Sequence, residues 1–118
     1  MTRASRQKAE IWGRRAESLA KLALVLKGYR VLEHRCRMAS GEIDLIVRRG
    51  NVVAAVEVKA RTKHDDEAIS DQQWDRIART LELYLARQPR LAGLERRFDR
   101  VDVAPGRWPR HASDVWRP

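Results

Sequence analysis

Two carboxylates and one lysine are set among apolar residues in the middle of the chain: Asp44, Glu57 and Lys59. Two apolar, β-branched runs flank the pair Gly50-Asn51, which is a signal of a β-hairpin. If these two residues form the turn, Asp44 faces Glu57 across the hairpin. Opposed residues have Cβ atoms roughly 4.5–5.5 Å apart, and opposed like charges destabilise a sheet. A divalent cation held by both carboxylates would remove the repulsion, and a hard ion such as Mg²⁺ prefers oxygen ligands.

Side chains alternate between the two faces of a strand, so this register places Asp44, Glu57 and Lys59 on one face of the sheet. The same residues also fit a solvated hairpin face, on which Lys59 is only a local counter-ion. A three-residue turn would shift one strand by one residue, turn its side chains to the other face and separate the two acids. The residues alone leave both interpretations open.

The sequence of the hairpin also resembles that of a known class of proteins. Residues 41–46 read GEIDLI and residues 56–59 read VEVK, which resembles the PD-(D/E)xK nuclease pattern and, more closely, the YraN family of small bacterial proteins. That family is similar in fold to archaeal Holliday-junction resolvases, and the resemblance covers about residues 14–104. It implies that Asp44 and Glu57 bind Mg²⁺ or Mn²⁺. It further implies that the backbone carbonyl of Val58 is a ligand and that Lys59 assists the attacking water.

The same resemblance implies DNA as the partner and hydrolysis of its phosphodiester bonds as the reaction. Branched DNA as the substrate rests on analogy to the resolvases alone. A two-fold dimer would place two sites on such a symmetric junction.

A first helix is predicted from about Ala4 to Lys27, because apolar residues recur there at helical spacing. Glu17 lies at the rim of the apolar stripe. The resemblance puts an acidic residue of the first helix near the metal site, and so implies that Glu17 completes the site. The alternative is a surface glutamate that pairs with Arg14 or Lys21.

Ser70 and Gln73 have the spacing of a capping box, in which Ser70 caps a second helix and Gln73 reaches back to it. That helix is predicted from about Asp71 to Gln88. A first strand is predicted at Tyr29–Cys36, before the hairpin, and a last strand at Arg97–Ala104.

The resulting order, αβββαβ, predicts one α/β domain over residues 1–118. It has a mixed central sheet with the hairpin in its middle and both helices packed on it, as in the restriction-endonuclease-like fold that the resemblance implies. Residues 1–10 are predicted to be frayed. Residues 105–118 are predicted to be an irregular tail, and the sequence does not decide whether this tail packs on the domain or meets a partner.

The charge points to an anionic partner. There are 25 lysine and arginine residues against 16 aspartate and glutamate residues, a formal net charge of +9, which favours nucleic acid. Four basic residues are predicted to contact its backbone: Arg14, Arg61, Lys63 and Arg76. Arg61 and Lys63 belong to a polar stretch without periodicity, which is predicted to be a loop beside the active face. A charged loop of this kind is often only solvated.

The single cysteine, Cys36, permits no internal disulfide and favours a reducing, cytoplasmic location. No stretch approaches the ~18 consecutive apolar residues of a membrane span, so no membrane association is expected. Two other functions stay open beside the nuclease. One is a non-catalytic nucleic-acid-binding module, and the other is a partner-binding protein that uses the tryptophan-containing tail.

Overall fold

The computed structural model describes residues 2–61 and 68–118. Its elements are α1 (Arg3–Leu26), β1 (Arg30–Met38), β2 (Gly41–Arg49), β3 (Val52–Ala60), α2 (Asp71–Ala86), a short 3₁₀ helix (Pro89–Leu91), β4 (Glu95–Val103) and β5 (Arg110–Ala112). The five strands form one sheet in chain order. β3 and β4 are parallel, and the other neighbours are antiparallel. The predicted restriction-endonuclease-like α/β fold with a mixed sheet is confirmed.

The strand β5 corrects the predicted order αβββαβ. The tail over residues 105–118 was predicted to be irregular, but Arg110–Ala112 pairs antiparallel with β4 and adds a fifth strand. Alternation reveals a strand only over four or more residues, so a strand of three leaves no readable pattern.

The first helix starts earlier than its apolar stripe. Thr2 caps α1, and its Oγ1 accepts a hydrogen bond from the Ser5 amide at 3.1 Å. Most of the segment predicted to be frayed, residues 1–10, is therefore helical, although it is exposed. In the part of the chain that the structure describes, no helix is long and apolar enough to cross a membrane.

The sheet is covered on both faces, by α1 on one side and by α2 on the other. Small buried residues, Ala16 and Ala20, let α1 lie close against the strands. Larger side chains of α2, such as that of Trp74, fill the other face. Strands covered on both faces read as continuous apolar runs, and residues 53–57 of β3 are all buried. Glu57, the one acid in this run, is therefore buried by its position.

A buried acid on β4 ties down the C-terminal segment. Asp99 is fully buried. Arg97 donates to both of its carboxylate oxygens at 2.9 and 2.8 Å. His111 Nε2 lies 2.8 Å from Oδ2, and the Asp114 amide donates to Oδ1 at 3.0 Å. Burial alone would raise the pKa of Asp99, but the hydrogen bonds from His111 and Arg97 outweigh it and bring the pKa to about 2.

The end of the tail packs on the domain, which answers a question that the sequence left open. Trp116 stacks on Trp74 with ring centroids 6.1 Å apart and meets the edge of Phe98 at 5.2 Å. Its indole nitrogen donates to Asp71 at 3.1 Å. Trp74 itself is only 4% exposed.

The Asp99 contacts predict a large loss of stability on neutralisation. Asp99→Asn should lower the free energy of unfolding at pH 7 by about 3 kcal/mol, because it removes the buried charge partner of the half-buried Arg97. The difference from wild type should shrink as the pH falls from 3.8 towards 2, where the wild-type carboxylate also takes up a proton. Urea unfolding across this pH range measures both effects. Asp75→Asn, which neutralises an exposed acid, is the matched control. An equal loss of stability in that variant would show that the Asp99 contacts are not the cause.

Candidate functional site

The hairpin has the predicted register. β2 and β3 pair from Arg49–Val52 to Leu45–Val56, so Gly50-Asn51 is the two-residue turn. Gly50 has φ +59°, which a glycine adopts without strain.

Beyond the last of these pairs, the Val58 amide donates to Asp44 Oδ2 at 2.8 Å. This contact attaches the Asp44 side chain to β3, next to Glu57.

The two acids meet across the hairpin. The carboxyl groups of Asp44 and Glu57 lie close enough to interact directly. Burial, followed by the charge of Asp44, raises the pKa of Glu57 to about 8, and Lys59 offsets only part of this rise. Burial also raises the pKa of Asp44, against the opposing hydrogen bond from Val58. The two acids therefore titrate as a coupled pair, which holds a proton more readily than two separate carboxyl groups would.

A cleft of about 470 Å³ opens beside this pair, between the hairpin and the start of α2, and Asp44, Glu57, Gln73 and Arg76 all line it. Gln73 Nε2 donates to Glu57 at 3.4 Å. The predicted capping box is thus only half correct. Ser70 does cap α2 by accepting from the Gln73 amide at 3.1 Å, but the Gln73 side chain turns to the buried acid. Water can satisfy the exposed backbone at Ser70, whereas Glu57 depends on donors from the protein.

Glu17 lies in a different cleft, of about 420 Å³, on the α1 side. Both Nε and Nη2 of Arg35 donate to Glu17 Oε2, at 3.0 and 2.8 Å, and His34 Nε2 lies 3.5 Å from the same oxygen. Asp44 lines both clefts, and the charge of Glu17 contributes to its raised pKa. Within residues 2–61 and 68–118, however, no three acidic, histidine or cysteine side chains are close enough to share a metal ion. A metal-site role for Glu17 stays a prediction.

Arg35 is a site residue that sequence reasoning missed. Its φ is +54°, a left-handed conformation that costs a non-glycine residue roughly 1–2 kcal/mol. It stands on β1 between the pairs His34–Leu45 and Cys36–Ile43, at the level of Asp44.

The side chains of β2 change from one face of the sheet to the other at the level of Asp44. Ile43 packs with the α2 core and Leu45 with the α1 core, so the ordinary two-residue alternation is broken around Asp44. An arginine in a strand carries no signal of this conformation, and no sequence pattern would have revealed it.

The remaining predicted residues are spread around the two clefts. Lys59 is half-buried, and its charge lowers the pKa of Glu57. Arg76 lines the first cleft and Arg14 the second. Arg61 donates to Asp102 at 2.9 Å, one strand away from the acids. The predicted backbone contacts of these arginines are not tested by this arrangement, and Lys63 lies outside the described residues.

Comparison with known proteins identifies close relatives. Residues 16–103 match the uncharacterised protein family UPF0102. A UPF0102 protein of Parvibaculum lavamentivorans is 52% identical over 108 residues, which cover 90% of this chain and 81% of that protein. One from Maricaulis maris is 48% identical over 120 residues, with 100% and 94% coverage. One from Chelativorans is 50% identical over 116 residues, with 97% and 94% coverage. These names state no activity.

The raised pKa of Glu57 predicts an unusual pH dependence of stability. Between pH 4.5 and about 8 the folded state holds more protons than the unfolded state, so the free energy of unfolding contributed by Glu57 falls as the pH rises. Glu57→Gln removes this dependence and should make the variant about 1–2 kcal/mol more stable than wild type at pH 8, with little difference at pH 5. Thermal and urea unfolding in EDTA measure it. Glu95→Gln, which neutralises an exposed acid, should follow the wild-type curve of unfolding free energy against pH. A Glu57→Gln curve parallel to that of wild type would show that the pKa of Glu57 is not raised.

Proposed function

The chain belongs to the uncharacterised protein family UPF0102, as the resemblance to the YraN family predicted, and we propose that it is a metal-dependent nuclease that hydrolyses phosphodiester bonds in DNA. The observation that carries this proposal is the pair of interacting acids, half-buried Asp44 and buried Glu57, on the two strands of the hairpin, with Lys59 two residues further along β3. Nothing in the packing of the two cores requires two acids at that point.

The pair suits a divalent cation. Mg²⁺ is commonly held by one or two carboxylates, with water and substrate phosphates as its other ligands, so two acids are sufficient. Their raised pKa values mean that the site accommodates two negative charges poorly without added positive charge. Asp44 and Glu57 would hold Mg²⁺ or Mn²⁺, with the Val58 carbonyl as the further ligand that the resemblance implies. Such an ion lowers the pKa of a bound water and neutralises charge that develops on a phosphate.

The protein's own residues supply the other functions of the site. The Val58 amide orients the Asp44 carboxylate, and Gln73 orients Glu57. Lys59 brings a positive charge close enough to affect Glu57, where it would stabilise the negative charge of the transition state or orient the attacking water. Arg76, on the wall of the same cleft, would hold the phosphate backbone. The proposed binding through arginines is sequence-independent and weakens with salt.

A non-catalytic nucleic-acid-binding module is the second candidate, and one observation favours it. Glu17 is bound to Arg35 and lines the other cleft, so the described residues bring only two acids together. This module would keep the fold and the charge without cleaving DNA. Branched DNA and a two-fold dimer remain part of the nuclease proposal through the resemblance alone.

The nuclease proposal predicts cleavage that depends on Glu57. Single-stranded, duplex and four-way junction DNA are incubated with the protein and Mg²⁺ or Mn²⁺, and products are resolved on denaturing gels. Glu57→Ala and Lys59→Ala should each lower the cleavage rate about 10²-fold or more, and EDTA should abolish it. Glu95→Ala, an exposed acid on β4, should cut like wild type. Equal cleavage by Glu57→Ala and wild type would assign the activity to a contaminant or to another site.

Metal binding and DNA binding separate the two candidates without cleavage. For the nuclease, titration with Mg²⁺ or Mn²⁺ should raise the melting temperature of wild type but not of Asp44→Ala, because one of the two ligands is gone. For the module, neither protein should respond to metal. In that case DNA affinity, measured by fluorescence anisotropy, should be the same for Asp44→Ala and wild type, in metal and in EDTA alike.

A further inference from the structure

Trp108 is the exception among the four tryptophans of the chain. Its side chain is 61% exposed, whereas Trp74 is 4% exposed and both Trp12 and Trp116 are half-buried. An indole buries more apolar surface than almost any other side chain when it packs. Its exposure at this position therefore calls for a reason other than stability.

The exposure of Trp108 is not that of a loose chain end. The Arg107 amide donates to the Ala104 carbonyl at 3.3 Å, and Gly106, with φ +72°, completes the turn. Pro109, which follows Trp108, is buried and restricts the backbone of the residue before it. β5 begins at the next residue and pairs with β4. A short segment that is held on both sides thus presents an indole to solvent.

The surroundings of this indole are cationic. Trp108 lines a cleft of about 380 Å³ together with three arginines, Arg61, Arg107 and Arg110. Among the described residues that line the cleft, Asp102 is the one acid, and it already accepts hydrogen bonds from Arg61 at 2.9 Å and from Arg100 at 3.0 Å. The described part of the cleft lining therefore combines a flat aromatic surface with a net positive charge.

This cleft lies beside the candidate catalytic lysine. Lys59 is the register partner of Asp102 on β4, and Asp102 is the partner of Arg110 on β5. Paired residues of neighbouring strands point to the same face, and the strands are about 4.8 Å apart, so Arg110 lies about 10 Å from Lys59 along the sheet. Stacked bases rise about 3.4 Å each along a strand, so this distance corresponds to about three nucleotides.

We infer that Trp108 is a stacking platform for an unpaired base, with Arg107 and Arg110 on the phosphates that flank it. Proteins that bind single strands combine aromatic side chains, on which bases stack, with a positively charged groove for the backbone, and arginine is attracted to both the phosphate and the base. One part of the inference rests on the proposed nuclease function: if the protein cleaves DNA, its substrate carries unpaired nucleotides close to the bond that is cut. Binding of the single strand itself requires no catalysis.

The test is binding in EDTA, where no metal-dependent cleavage occurs. A labelled single-stranded oligonucleotide and the blunt duplex of the same sequence are titrated by fluorescence anisotropy. Trp108→Ala should weaken single-strand binding about tenfold or more, in line with the loss of one stacked base, and should change duplex binding less than twofold. Trp108→Phe should retain most of the affinity and Trp108→Leu little of it, because leucine keeps the apolar contact without an aromatic face. Leu26→Ala, which removes another exposed apolar side chain, is the control for non-specific loss.

The arginines give a second measurement. Replacing both Arg107 and Arg110 by alanine should reduce the slope of log affinity against log salt by about one to two, while Trp108→Ala leaves the slope unchanged. Equal losses on single strand and duplex, or equal binding by the Phe and Leu variants, would overturn the inference. A Trp108→Ala variant that loses sedimentation with anionic phospholipid vesicles but binds single strands normally would assign the surface to a membrane instead, and would also overturn it.

The inference and the proposed nuclease fail separately. If single strands bind through Trp108 but Glu57→Ala changes no cleavage, the stacking platform stands and the catalytic proposal falls. If cleavage depends on Glu57 but Trp108→Ala binds and cuts single strands like wild type, the nuclease stands and the platform falls.

Discussion

The local structure around the hairpin depends on one electrostatic constraint: the half-buried carboxyl group of Asp44 and the buried one of Glu57 interact across the hairpin. Such a pair persists only if a proton, a set of hydrogen-bond donors or a cation compensates for the lost solvation. The described residues supply the first two, through the raised pKa of Glu57 and the donors Val58 and Gln73. The hydrogen-bond donors alone do not compensate fully for the lost solvation, because the pKa of Glu57 stays raised to about 8. The site is thus arranged to gain from positive charge, which the proposed metal ion would bring.

The parts of this site that follow from local chain chemistry were predictable. A Gly-Asn turn fixes the hairpin register, and the register brings Asp44 next to Glu57. The two helices follow from apolar periodicity within one or two residues. Arg35 was not predictable, because nothing in its residue type signals a left-handed backbone conformation within a strand. Gln73 was assigned to capping because its competing partner, Glu57, is distant in sequence and becomes a neighbour only after folding.

Arg35 and Glu17 limit the number of negative charges around Asp44. Glu17 is near enough to raise the pKa of Asp44, so a bare carboxylate there would add a third negative charge to the pair. The two hydrogen bonds from Arg35 compensate for that charge on the α1 side, while Lys59 acts on the α2 side through Glu57. The break in alternation around Asp44 makes this possible, since it lets one carboxylate line clefts on both faces of a sheet that is otherwise closed by helices.

The C-terminal segment connects this site to the rest of the fold. It is attached by charge at Asp99, through His111 and the Asp114 amide, and by aromatic stacking at Trp116. These attachments lie within β5 and after it. Trp108 precedes β5, on the turn that follows β4, and β4 is the neighbour of the strand that carries Lys59. Because β5 cannot shift without breaking the buried Asp99 contacts, the backbone that carries the exposed indole is held beside β4. A surface that is held this firmly is better suited to orienting a bound strand than to capturing one by flexible contact.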